Sequence, residues 1–332
     1  MSLLEFTERG VYCQKAGIFI DPWKSVPKAL ITHAHSDHAQ PGCQHYLCTH
    51  RTAFLLRHRL GVQQNIHSVA FKENVNIHGV NFSFHPAGHI VGSAQIRVEH
   101  KGEIWVVSGD YKTEPDDVSE DFEIVKCHTF ITESTFGLPV YQWPDQNHVF
   151  SEINAWWESN SQQGITSVLS AYSLGKSQRI IQNVDHSIGP LYCHGSIEAT
   201  NEVVRQAGVK LKLTMHLPAS VKKEMLQKAL VIAPGSALSS SWMRRFKEYS
   251  TAAASGWMIL RGRKSWHHVD KGFVLSDHAD WNALNTTVKA TGCEQVIVTH
   301  GYSDIFARWL QEQGYHAQAE KTTYEGESEE IR

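Results

Sequence analysis

Hydrophobic and polar positions along the chain follow two regimes. Through roughly the first 140 residues, short apolar runs alternate at period two and stop on a polar side chain, the pattern of strands delivering loops to a sheet edge. "GIFIDPW" reads as a strand ending at Asp21, "KALITHAH" as one ending at His33, and "TFITESTFG" as one ending at Glu133. In "VNFSFHPAGHIVGSAQIRVEHKGEIWVVSGDYK" the alternation predicts a hairpin with Lys101 and Gly102 at its tip. Beyond that, strands trade places with helical periods. "SEINAWWESN" reads as helix, "ITSVLSAY" as strand, "SLGKSQRIIQNV" as helix, "PLYCHG" as strand and "SIEATNEVVRQAG" as helix, and the alternation runs on through "VKKEMLQKALVIAPG" and "GWMILRG". This is the signature of a parallel α/β unit. "GFVLSDHADWNALNTTVKATG", "EQVIVTHG" and "YSDIFARWLQEQG" then give strand, helix, strand, helix, again with histidines at strand ends. The simplest architecture is one α/β domain, residues 1–139 and 271–332, interrupted by an inserted α/β domain at 140–270.

Composition narrows the classes. With 332 residues, 41% hydrophobic and 20% charged, the chain has the make-up of a globular protein with a large core. No apolar run nears the ~18 residues of a membrane helix, and "MSLLEFTERGVYC" lacks the pattern of a secretion signal. The cysteines (13, 43, 48, 127, 193, 293) form no CxxC pair and no dense framework, which predicts reduced thiols in a cytoplasmic protein. Net charge is −3, yet residues 201–270 hold 12 Lys or Arg against 4 Asp or Glu, a local +8. Arg244, Arg245, Lys247, Arg261, Arg263 and Lys264 are its densest part. Such a patch is either a solvated basic face or a track for a phosphate backbone.

Histidine is the outlier, with 21 copies, and "ALITHAHSDHAQPG" gathers His33, His35, Asp37 and His38 within six positions. His33 and His35, two apart on an extended segment, point the same way. Asp37 and His38 follow where the chain turns and offer a second pair. Imidazole and carboxylate without cysteine suit zinc, manganese or iron and argue against a structural zinc knot. Four ligand groups are too many for one catalytic metal that keeps an open position, so two adjacent metals explain them better.

The HxHxDH segment, a later histidine, an aspartate and a final histidine together resemble the metallo-β-lactamase fold. That resemblance implies an αββα sandwich and assigns further residues in "HPAGHIVGSAQ", "VVSGDYK" and "VIVTHGYS". It gives His33, His35 and His89 to one metal, Asp37, His38 and His300 to the other, and Asp110 to both. It makes Asp21 a partner supporting the HxHxDH loop, and prefers His89 to the nearby His85. The implied cofactors are two divalent ions, zinc first and manganese second.

The chain also resembles the β-CASP nucleases of this fold. "ITESTFG" is similar to their acidic motif, "LSDHADW" and "VTHGYS" to their later histidine motifs, and "SAYSLGKSQRIIQ" and "IAPGSAL" to turns of their inserted domain. The resemblance implies that His278, polarised by Glu133, gives a proton to the leaving oxygen, with Asp280 as an orienting neighbour. Asp37, Glu133 and His278 are thus the expected catalytic groups, and Lys176, Arg261 and Arg263 the candidates for holding phosphates. Among these nucleases the chain most resembles the bacterial ligase-associated DNA exonucleases, which implies DNA as substrate, a role in repair or end processing, and association with an ATP-dependent DNA ligase and a helicase. An RNA-processing nuclease with the same groups is the alternative. A small-ester hydrolase is disfavoured by the basic insert, and an inert nucleic-acid scaffold by the complete ligand set.

Overall fold

The computed structural model describes residues 2–218, 220–260 and 269–322, so Arg261, Arg263 and Lys264 lie outside the described residues. The chain forms two compact units, one made of Met1–Gln142 and His278–Gly326, the other of Trp143–Asp277.

The first unit holds two sheets. One has six strands in chain order, from Glu5–Thr7 to Ile66–Val69. The other has seven: Val75–Ile77, Val80–Pro86, Ala94–His100, Glu103–Val107, Thr129–Glu133, Gln295–Thr299 and His316–Ala319 lie side by side in that order. The last two pair in parallel onto the earlier strands, with Glu133 opposite Thr299. Side-chain alternation explains the layering. Trp105, Val107 and Ile131 point into a cluster shared with Ile18, Ile20 and Leu30 of the first sheet. Val106 and Phe130 point the other way, against Leu284 and Val288 of helix Trp281–Thr291 and Phe306 and Leu310 of helix Ser303–Glu312.

Within the stretch that alternation assigns to strands and turns, residues 50–60 are instead a helix, His50–Leu60. "HRTAFLLRHRL" buries Thr52, Ala53, Leu55 and Leu56 on one face, and the Thr49 hydroxyl caps its start. The hairpin at Lys101 and Gly102 forms as expected, both residues having positive φ.

The second unit is built on a six-stranded, all-parallel sheet. Its order across the sheet is Met215–His216, Leu191–Cys193, Leu230–Ala233, Thr166–Ser170, Tyr249–Ala254 and Lys271–Phe273. Where the alternation runs on into "GWMILRG", Gly256–Ile259 is a 3-10 helix, and the strand beside it is the preceding Tyr249–Ala254. Ala252, Ala253 and Ala254 are buried without the branched bulk that marks a strand in sequence. No helix among the described residues is long and apolar enough to cross a membrane.

Candidate metal centre

Strand ends in the first unit converge on one site. Asp21 follows Ile20, and His33, His35, Asp37 and His38 follow Leu30, its partner across the sheet. His89 lies between strands Val80–Pro86 and Ala94–His100, Asp110 follows Val107, Glu133 ends its strand, and His300 follows Thr299. Parallel pairing with matched register is what brings these ends together.

Asp21 organises the first histidines. Its Oδ1 accepts the Thr32 backbone N–H at 2.8 Å, and its Oδ2 accepts the Thr32 hydroxyl at 2.5 Å and His38 Nδ1–H at 2.7 Å. With its proton given to Asp21, the Thr32 oxygen accepts from His33 Nδ1, 3.1 Å away. Both rings are thereby fixed with a proton on Nδ1 and a lone pair on Nε2. These two Nε2 atoms are buried and make no hydrogen bond, an arrangement that costs free energy unless something else meets the lone pairs. They face Asp110 Oδ2, which lies 3.6 Å from His33 Nε2, 3.3 Å from His38 Nε2 and 3.9 Å from His89 Nε2. Gly109 permits this approach. Its φ is +58°, and a Cβ there would sit 2.7 Å from Thr32.

Two ligand groups share Asp110. His33, His35, His89 and Asp110 bring one ligand atom each within 4.8 Å of one another, as do Asp37, His38 and Asp110. His35 Nδ1 and His89 Nε2 are 3.1 Å apart, and Asp37 Oδ2 is 3.6 Å from His38 Nε2. His300 stands against the second group, its ring stacked on His38 at 5.3 Å, without entering that 4.8 Å spacing. A pocket bordered by Asp37, His38 and His300 continues over Phe6, Val11 and Trp23. His85 is elsewhere: its Nε2 meets the Ser83 hydroxyl and its Nδ1 faces Glu123.

The charges fit a cation. Burial, then the neighbouring His38 and His35, hold His33 well below the ordinary imidazole pKa, leaving it a neutral ligand. Burial pushes the Asp110 carboxyl up, but His38 and His278 outweigh it and hold it well below the usual carboxylate range. Burial disfavours a charge on His38, yet Asp110 and Asp37 raise its pKa well above normal, so the field there favours positive charge. A neutral His33, an ionised Asp110 and a field at His38 that favours positive charge make these groups a donor set for a divalent metal.

A third group adjoins Asp110: Glu133 and His278. Glu133 is 1% exposed, its Oε1 accepting the Tyr111 N–H and its Oε2 the His278 Nδ1–H, each at 2.8 Å. The Ala279 N–H donates to the Tyr111 carbonyl at 2.7 Å, and the His278 ring lies 4.6 Å from that of His89. Asp280 caps helix Trp281–Thr291 through the Ala283 N–H. In the second unit, Lys176 is buried at the start of helix Lys176–Asn183, whereas Arg244 and Lys247 are exposed. Sequence reasoning missed Thr32 and Tyr111. The hydroxyl directly before the first histidine of "THAH" was a signal for Thr32, while Tyr111 acts through its backbone and left none.

No family model matches the chain. It is 30% identical over 313 residues to a probable DNA ligase of Opitutus terrae, covering 93% of this chain and 30% of that protein. It is 27% identical over 207 residues to an RNase J-like protein of Methanocaldococcus jannaschii, covering 52% and 48%. Over 122 residues it is 28% identical to the endoribonuclease YSH1 of Saccharomyces cerevisiae, covering 36% and 15%. The chain thus spans less than half the length of each of these relatives. A crystal structure of a protein of unknown function from Enterococcus faecalis V583 shares the fold, with TM-score 0.57, 8% identity, and 81% of this chain against 74% of that one. Sequence similarity to these proteins and a buried His–Asp cluster with an adjoining Glu–His dyad point the same way: the chain is similar to the β-CASP nucleases of the metallo-β-lactamase fold.

Proposed function

We propose that the protein is a metal-dependent DNA nuclease, an exonuclease of repair or end processing, acting through two divalent ions. The observation that carries this reading is Asp110, one carboxylate common to two ligand groups and to the Glu133–His278 dyad. His33, His35 and His89 would hold one ion, Asp37 and His38 with the adjacent His300 the other, and Asp110 both. A divalent pair in such a seat supplies Lewis acidity toward phosphate oxygens and a water acidified toward neutrality. Zinc suits the donors first, and manganese is the second choice.

The chain's own groups do the rest. Asp21 and Thr32 keep the lone pairs of His33 and His38 aimed inward while phosphate charge builds. Glu133 holds His278 Nδ1–H, so a second proton on His278 sits at Nε2 and passes to the departing sugar oxygen. Burial of the dyad keeps competing water from that proton. We read the first unit as the metallo-β-lactamase αββα sandwich and the second as its β-CASP-like insert, whose exposed Arg244 and Lys247 offer charge to phosphates.

DNA is favoured because the similarity that runs nearly the whole length of the chain is to a protein named a probable DNA ligase. That similarity also supports a functional association with DNA ligation. An RNA-processing role is the second reading, favoured by the RNase J-like and endoribonuclease relatives. Digestion of 5′- and 3′-labelled DNA and RNA of matched sequence, with zinc or manganese, decides between them. Faster cleavage of DNA, progressing from one end, supports the proposal; preferential cleavage of RNA overturns it in favour of the second reading.

A further inference from the structure

The segment "SLGKSQR", which leads into helix Lys176–Asn183 of the second unit, contains one of the largest fully buried side chains, Arg179. We propose that Arg179 is a positioning residue for His278, acting through Ser276 and Asp277; this rests on the reading of His278 as proton donor. Arg179 is 1% exposed. Its Nη1 donates to the Ser276 carbonyl at 2.6 Å and lies 3.4 Å from Asp277 Oδ1, and its Nη2 donates to Gln146 Oε1 at 2.8 Å. A buried guanidinium is costly unless its donors are matched, and here Nη1 is committed to the two residues preceding His278 while Nη2 is held by Gln146.

The local chain needs such a hold. Residues 274–280 run without regular structure between strand Lys271–Phe273 and helix Trp281–Thr291, so no ladder sets their path. The path is fixed instead on both sides of His278. Arg179 holds Ser276 and Asp277 before it, and the Ala279 N–H bonds the Tyr111 carbonyl after it. His278 must keep Nδ1 on Glu133 while Nε2 meets the leaving oxygen. A displacement of about 1 Å at such a group can cost on the order of a hundredfold in rate. Lysine at position 179 keeps the charge but has one nitrogen, where arginine sets Nη1 on Ser276 and Asp277 and braces the same plane through Nη2 on Gln146.

The test uses two substrates on the full-length, metal-loaded protein. One is a short labelled DNA, whose sugar oxygen must be protonated to leave. The other is the p-nitrophenyl ester of thymidine 5′-phosphate, whose leaving group needs no proton. Arg179→Lys should lower kcat on DNA ~10-fold or more, within the range of a general acid's contribution. It should leave KM and bound metal within about twofold, and the nitrophenyl ester rate as well, because a shifted proton donor matters only where a proton is needed. The double variant Arg179→Lys/His278→Ala should be no slower than His278→Ala alone. Equal slowing on both substrates, a further loss in the double variant, or unchanged DNA turnover overturns the role of Arg179. If Arg179→Lys fails to melt cooperatively, Asp277→Asn takes its place in the same comparison. His278→Ala is the separate control. If it slows both substrates equally, the proton-donor reading itself falls; if it slows only DNA while Arg179→Lys does not, only the positioning role falls.

Discussion

At the scale of residues, the centre is governed by Asp21 as much as by the groups facing inward. One carboxylate fixes the Nδ1 protons of two histidines, directly for His38 and through the Thr32 hydroxyl for His33. Asp21→Ala should therefore lower metal affinity by about 10–100-fold, the usual effect of losing a partner behind a ligand. Competition against a chelating dye measures it, and unchanged affinity would contradict the orienting role. The inward-facing residues were legible in the sequence because HxHxDH compresses four of them into six positions. What stood behind them was less so. Thr32 works as a relay between two side chains, and Tyr111 through a main-chain N–H, so neither is marked by residue type.

At the scale of elements, strands that end on polar groups were legible from period-two alternation, and the 101–102 hairpin from its turn residues. Two elements were not. Helix His50–Leu60 sits within a region of alternating strands, and Tyr249–Ala254 ends in three buried alanines held by parallel pairing on both edges, with no branched residue to mark them. Helix Gly195–Gln206 carries a measurable charge network: Glu198 binds Arg205 at 3.0 Å and accepts from Thr214 and Asn201. Burial pushes the Glu198 carboxyl up, but the bonds from Thr214, Arg205 and Asn201 outweigh it and leave its pKa below the ordinary value. A depressed folded-state pKa stabilises above the unfolded value, ~4.3, and that stabilisation is lost as pH falls through the folded value. Glu198→Gln should thus lower Tm at pH 7 and converge with the wild type below that range. A constant Tm gap at all pH values would refute the linkage.

At the scale of the whole molecule, the uneven spread of charge has a direct physical consequence. The chain is net negative, yet 12 of its 31 Lys and Arg fall in residues 201–270. If this segment meets a phosphate backbone, replacing Arg244 and Lys247 with Ala should flatten the plot of log affinity against log salt, by roughly one unit for each phosphate no longer neutralised. An unchanged slope would make the patch a solvated face. If Asp110 serves two metal positions in a phosphodiester-cleaving site, bound metal and DNA hydrolysis, measured together in the wild type and Asp110→Asn, change together. The wild type should bind about two divalent ions per chain, as two-metal hydrolases do, and lose hydrolysis when they are removed. Asp110→Asn should bind fewer and leave DNA intact. Full metal content and full hydrolysis in Asp110→Asn would rule out a shared role for this carboxylate.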